Sequence, residues 1–189
     1  WTQDLGYGYG YPLFNFYAPL SYYAGGVFIS LGFDALESTK LVIALGLILA
    51  SLFMYLLARE FWGNKGGIIS SLLYLYAPYS AVNVYVRGNI VESWGYAFVP
   101  LFFYGVVKIY KSQSPYFILV SALGFAGIIL SHNLTALITA IFLIPTTIFI
   151  LLSKNKRIFW FFVSGVALGL LLSSFYFNYM DDIYWTGFC

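Results

Sequence analysis

Residues Leu41 to Ala58 read LVIALGLILASLFMYLLA, eighteen consecutive residues without a charged side chain. A helix needs about 20 predominantly apolar residues to cross the hydrocarbon core of a bilayer, so this stretch has the length of a span. Outward from it the pattern repeats. Ile68 to Val86, Trp94 to Ile109, Leu134 to Leu152 and Ile158 to Tyr176 are apolar runs with no ionised residue in the middle, and Tyr116 to Leu130 is a shorter sixth. In the last of these, Ala122 and Ala126 form a small-xxx-small step with Gly124 and Gly127 beside them, a composition suited to close helix packing. The expected fold is all-α, a polytopic transmembrane bundle of about six spans over residues 41–176.

Composition agrees. Hydrophobic residues make up 61% of the 189 and charged residues only 8%, and mean hydropathy is +0.84. A soluble domain carries about 25% charged residues. A net charge of +2, spread over short loops, gives no basic surface for nucleic acid. The single cysteine, Cys189, excludes an internal disulfide. No phosphate-binding glycine loop, dinucleotide fingerprint, serine nucleophile elbow or zinc spacing occurs, which argues against ATP or serine hydrolysis within this stretch. The chain starts at Trp1 without an initiator methionine or a signal-peptide pattern, and reads as a fragment.

Basic residues set the expected orientation. Arg59 and Lys65, then Lys108 and Lys111, then Lys154, Lys156 and Arg157 fall in alternate loops, which the positive-inside rule places in the cytoplasm. The remaining polar segments then face outward: residues 1–40, Arg87 to Ser93, Ser131 to Asn133, and an external loop from Phe177 to Cys189. Within the first of these, Pro19 to Phe33 is too short to span and suits a helix lying at the membrane interface. The aromatics around Gly6-Tyr7-Gly8-Tyr9-Gly10-Tyr11-Pro12 read either as an interfacial belt or as a sugar-stacking platform.

Two outward turns carry the candidate chemistry. Arg87-Gly88-Asn89-Ile90-Val91-Glu92 sets a cation and a carboxylate at the ends of consecutive spans, with a glycine to permit a tight turn. The pair either simply closes the turn or clamps an anionic headgroup, since an arginine fork matches phosphate oxygens and Glu92 can orient it or hold a metal. Ser131-His132-Asn133 puts the only histidine at the outer surface, where it either serves a helix end or titrates in a site. Asn133-Leu134-Thr135 fits a glycosylation sequon, but an acceptor abutting the membrane is a poor one. Asp4, Asp34, Glu37, Asp181 and Asp182 form no recognisable metal or nucleophile pattern.

The stretch Gly10-Tyr11-Pro12-Leu13-Phe14-Asn15-Phe16-Tyr17-Ala18-Pro19-Leu20-Ser21-Tyr22-Tyr23, with Leu31-Gly32-Phe33 and a span ending Tyr55-Leu56-Leu57-Ala58-Arg59, resembles the C-type (GT-C) polyprenyl-phosphate-sugar glycosyltransferases. Ala77-Pro78-Tyr79 ahead of Arg87 and Glu92 resembles that superfamily's Ser-Pro and Arg-x4-Asp arrangement. Gly124 to Pro145 resembles a segment of the aminoarabinose transferases in which a lysine stands at the place of His132. With its tyrosine-rich start, the chain is most similar to the bacterial and archaeal membrane family labelled 6-pyruvoyl-tetrahydropterin-synthase-related, a label that does not imply pterin chemistry.

The resemblance implies transfer of a sugar from a polyprenyl-phosphate donor to an acceptor on the extracytoplasmic face of a prokaryotic plasma membrane, with inversion. It also implies a catalytic carboxylate upstream of Trp1, so that this stretch alone would be inactive. Arg87, Glu92, His132, Asp4 and Tyr11 are then the expected substrate and lipid-phosphate contacts. No cofactor is required with certainty; a divalent cation is a candidate partner for Asp4 or Glu92. The expected partners are the lipid-linked sugar, membrane lipid and an acceptor of unknown identity. The competing readings are a transporter or lipid-handling protein without chemistry, and a structural membrane subunit.

Overall fold

The computed structural model describes Tyr7 and residues 17–186, with side chains through Tyr176. The described residues form helices and contain no strand. In chain order these are α1 (Leu20–Ser30), α2 (Ala35–Leu75), α3 (Pro78–Ala81), a π-helical turn (Val82–Val86), α4 (Ile90–Ser112), α5 (Tyr116–Ser131), α6 (Asn133–Leu152) and α7 (Lys156–Thr186).

The helix α1 coincides with the segment expected at the interface. Its 11 residues reach about 16 Å at 1.5 Å per residue, too little to cross a membrane. It ends at Leu31-Gly32, where Gly32 takes a φ of +97° that side-chain-bearing residues rarely adopt.

The long helix α2 contains the first expected span and the first part of the second. It is broken at Gly63, where φ is 68° and ψ is −170°, and the chain doubles back. A Cβ at Gly67 would stand 2.9 Å from the Tyr55 ring and 3.2 Å from Cβ of Arg59, so the two halves run side by side. The second expected span, Ile68 to Val86, is not continuous. It stops at Tyr76–Ala77, resumes as α3 and continues as the π-helical turn. Pro78 is the cause: its ring disfavours a helical conformation in the residue before it, and Ala77 accordingly has ψ of 135°.

The centre of the bundle is α4, α5 and α7, whose core includes Phe102, Val106, Ile109, Phe125, Ile128 and Phe162. Close approach of backbones makes it. A Cβ at Gly105 would lie 2.5 Å from the Ser121 backbone nitrogen, and one at Gly124 the same distance from that of Phe102. Gly169 of α7 packs on the Ala122 carbonyl, and Ala122 and Ala126 are buried, as the small-residue composition of α5 leads one to expect. At 16 residues α5 is short, but it is wrapped by its neighbours, which suits a helix apolar on every side.

Around this centre the apolar surface is exposed. Leu137, Ile141, Phe142, Ile144 and Ile148 of α6 are each about half exposed or more. Four helical stretches, Ala35–Val86, Ile90–Ser112, Asn133–Leu152 and Lys156–Tyr176, are long and apolar enough to cross a membrane. Such faces need lipid as their solvent, and helices satisfy their own backbone there. The molecule is a helical membrane bundle.

The loops sort to two ends. Glu60, just before the Gly63 break, pairs with Lys108 at 3.1 Å and with Lys111 at 3.7 Å, so the first two basic loops lie together at the C-terminal end of α4. The Arg87 turn and His132 lie at its N-terminal end. The helix α7 continues through Thr186, past Tyr176 where the sequence reading begins an external loop. Residues 177–186 contain no glycine or proline to stop it, and Gly187 follows directly.

Candidate functional site

At the entry to α4 the chain must turn sharply after the π-helical turn, and Gly88 does so with φ of +60°. The wider π geometry lets the Arg87 amide donate to the Val82 carbonyl at 3.0 Å, and the Asn89 amide donates to the carbonyl of buried Asn83, also at 3.0 Å. Asn89 then caps α4, its Oδ1 accepting from the Glu92 amide at 3.1 Å.

Glu92 is the hub. Although 8% exposed, its carboxylate is fully engaged: Oε2 accepts from Asn89 Nδ2 at 2.8 Å and pairs with Arg87 Nη1 at 2.9 Å, while Oε1 accepts from the Tyr79 hydroxyl. A buried carboxylate persists only with such partners. Arg87 Nη1 also donates to Asn83 Oδ1 at 3.3 Å. The ion pair therefore closes the turn, and it does so with the arginine side chain half exposed.

Two further contacts fix this assembly to the bundle. Trp94 Nε1 donates to the Val42 carbonyl at 3.0 Å, and its indole lies so close to Gly46 that a Cβ there would be 2.9 Å away. Tyr74 stacks on Tyr96 at 4.1 Å between centroids and donates to its carbonyl; Tyr96 in turn lies beside Tyr79.

His132 is the N-cap of α6. Its Nδ1 accepts from the Thr135 amide at 3.3 Å and lies 2.8 Å from the Thr135 hydroxyl. The backbone of Gly95 allows this approach, since a Cβ there would stand 3.1 Å from Cβ of His132. The imidazole thus serves a helix end, meeting the Thr135 amide at the start of α6. Burial holds its pKa below the ordinary histidine value, with the Glu92 charge opposing that shift and the Arg87 charge adding to it. The imidazole thus lies within the electrostatic reach of both members of the ion pair.

Two cavities flank the Arg87 turn. One, of about 550 Å³, reaches from Arg87 and Asn89 between α1 and the start of α2. The other, of about 370 Å³, joins Asn89 to His132 under Tyr17. Arg87, Glu92 and His132, from two separate turns, are thus grouped about Asn89. Asp4 and Tyr11 lie outside the described residues. Among the described residues no three His, Cys, Asp or Glu side chains are placed to hold a metal ion.

Sequence reasoning missed the parts played by Asn83, Asn89 and Tyr79. Asn89 was findable: Asn followed by Glu three residues later is a helix-start signature related to the capping box. Asn83 was not, because its role depends on the π-helical register.

Fold and site together define an integral membrane helical bundle with a charged, partly buried pocket at one end. The chain belongs to the family described as the 6-pyruvoyl-tetrahydropterin synthase related domain, a membrane protein family, whose model matches residues 14–178. An uncharacterized protein of Lactococcus lactis subsp. cremoris (strain MG1363) is 29% identical over 155 residues, which cover 79% of this chain and 25% of that protein. The chain thus matches about a quarter of that relative's length. No solved structure matches.

Proposed function

We propose that the full-length protein is a membrane glycosyltransferase of the GT-C type, moving a sugar from a polyprenyl-phosphate donor to an acceptor at the extracytoplasmic face of a prokaryotic plasma membrane. The observation that carries the reading is the half-exposed Arg87, held by buried Glu92 at the mouth of a cavity. Glu92 and Asn83 fix the guanidinium, so little ordering is needed when an anion arrives, and arginine matches phosphate oxygens.

In the reaction an acceptor hydroxyl oxygen bonds to the sugar's anomeric carbon as the bond to the phosphate oxygen breaks. Negative charge grows on the departing lipid phosphate, and Arg87 stabilises it. His132, at the other side of Asn89, gives a second positive charge once protonated, which an arriving phosphate favours by raising its pKa. A base must take the acceptor proton; in the resembled superfamily this is an acidic residue near the start of the first external loop. The alternation of basic loops supports a pocket on the outer face.

The test is sugar transfer by the full-length protein in membranes. Arg87→Ala should lower turnover at least tenfold, Arg87→Lys should recover part, and His132→Lys should be tolerated better than His132→Ala. Unchanged transfer by Arg87→Ala sinks the reading. Lipid handling without chemistry uses the same anion clamp, and would show lipid binding that depends on Arg87 with no sugar transferred.

A further inference from the structure

The larger cavity runs away from the ion pair, and its wall changes character as it does so. Beyond Arg87 and Asn89 it presents Ser21, Ser38 and Thr39, with Tyr17 at the side. Among the described residues two buried helical hydroxyls, Ser38 and Ser131, have no hydrogen-bond partner, and Ser38 is the one of the two that lines this cavity. Thr39 donates to the Ala35 carbonyl at 2.8 Å, Ser71 to that of Ile68 at 2.8 Å, Ser121 to that of Ile118 at 2.9 Å and Thr139 to that of Thr135 at 2.8 Å. Folding back on a carbonyl three or four residues earlier is the usual way for a helical hydroxyl to be satisfied away from water.

Ser38 does not do this. It is 2% exposed, and its Oγ has no hydrogen-bond partner. A buried hydroxyl without a partner is uncommon and destabilising. Here it belongs to the wall of a cavity with a fixed cation at its mouth.

The geometry points to a subsite between α1 and the start of α2 for a neutral, sugar-sized polyol attached to the anion on Arg87, with Ser38 as its buried hydrogen-bonding residue. This rests on Arg87 being the phosphate-binding residue proposed above. Among the described residues no carboxylate lines the cavity and Arg87 is the only cation, so this wall offers an amine headgroup no counter-charge and suits a group that carries no charge of its own. A serine hydroxyl both donates and accepts, as a polyol requires. The rings of Tyr17 and Tyr22, both part-exposed, offer apolar faces for the sugar's C–H surface.

The test uses the full-length protein in phosphatidylcholine nanodiscs and measures affinity for farnesyl phosphate and for farnesyl-phosphoryl mannose, glucose and galactose. At least one hexose conjugate should bind more tightly than farnesyl phosphate. Ser38→Ala should cut that conjugate's affinity about three- to tenfold, the worth of one neutral hydrogen bond, and leave farnesyl phosphate binding unchanged. The unliganded variant should melt no lower than the parent, because an unsatisfied hydroxyl has been removed. Phosphatidylglycerol, a smaller neutral polyol on a phosphate, should show no such dependence on Ser38.

The subsite is overturned if no hexose improves binding, if the improvement survives Ser38→Ala, if Ser38→Ala weakens farnesyl phosphate equally, or if phosphatidylglycerol depends on Ser38 as strongly as the hexose. Arg87→Ala should weaken every ligand. Undiminished farnesyl phosphate binding by Arg87→Ala would instead overturn the reading of Arg87, and the subsite with it.

Discussion

Removing Arg87 should destabilise the protein chiefly through what it does to Glu92. That carboxylate would keep its Asn89 and Tyr79 donors but lose its counter-charge. Breaking a fully buried ion pair on one side costs about 3–5 kcal/mol. Arg87 is half exposed, so water can take over part of its work, and screening lowers the figure to about 1–3 kcal/mol. Glu92→Gln should cost about 1–2 kcal/mol: an amide oxygen at the Oε2 position still accepts from Asn89 and Arg87, but the charge assistance is gone. In Arg87→Ala/Glu92→Gln no unpaired charge remains buried, so the double variant should lose about 1–2 kcal/mol less than the sum of the singles. Chemical unfolding in detergent micelles, followed by tryptophan fluorescence, measures all three. Additivity within about 0.5 kcal/mol would refute the coupling. The double variant also separates stability from function, since it should recover fold without recovering anion binding.

Gly105→Ala and Gly124→Ala should each cost about 1–3 kcal/mol, because the new methyl meets the backbone of the facing helix, which cannot move aside as a side chain would. Gly26→Ala, with nothing within 4 Å, should be neutral or slightly stabilising; equal losses at all three positions in thermal melts would contradict the packing. His132 titrates below its ordinary pKa, so the unfolded chain takes up the proton first as pH falls below about 6.5, and stability present above that pH is lost below it. His132→Asn retains a capping side chain without titrating, and should lose less stability than the parent between pH 7 and pH 5. Identical pH profiles would show that His132 contributes nothing to that loss.

The bundle was legible in the sequence because lipid imposes a simple rule: a span must be long, apolar and uncharged. The runs from Trp94, Tyr116, Leu134 and Ile158 lie within α4 to α7 with shifts of a few residues at most at their starts. The region from Pro78 to Glu92 was less legible. Apolar content does not register a helix broken at Ala77 or widened over Val82–Val86, and those two departures bring Tyr79 and Asn83 onto Glu92 and Arg87. The residues Arg87, Glu92 and His132 stood out as charges or a lone imidazole in apolar surroundings. Ser38 did not, because a serine near a helix start looks like any other until its missing partner is seen.

The central claim is that an anion carrying a sugar and a lipid rests on Arg87 at the outer end of the bundle. The most direct measurement is a structure of the full-length protein in nanodiscs with a polyprenyl-phosphoryl-hexose bound. The account predicts phosphate density within hydrogen-bonding distance of the Arg87 guanidinium, between Asn89 and His132, with the sugar directed toward Ser38. Phosphate density elsewhere in the bundle, with the Arg87–Glu92 pair untouched, would contradict it.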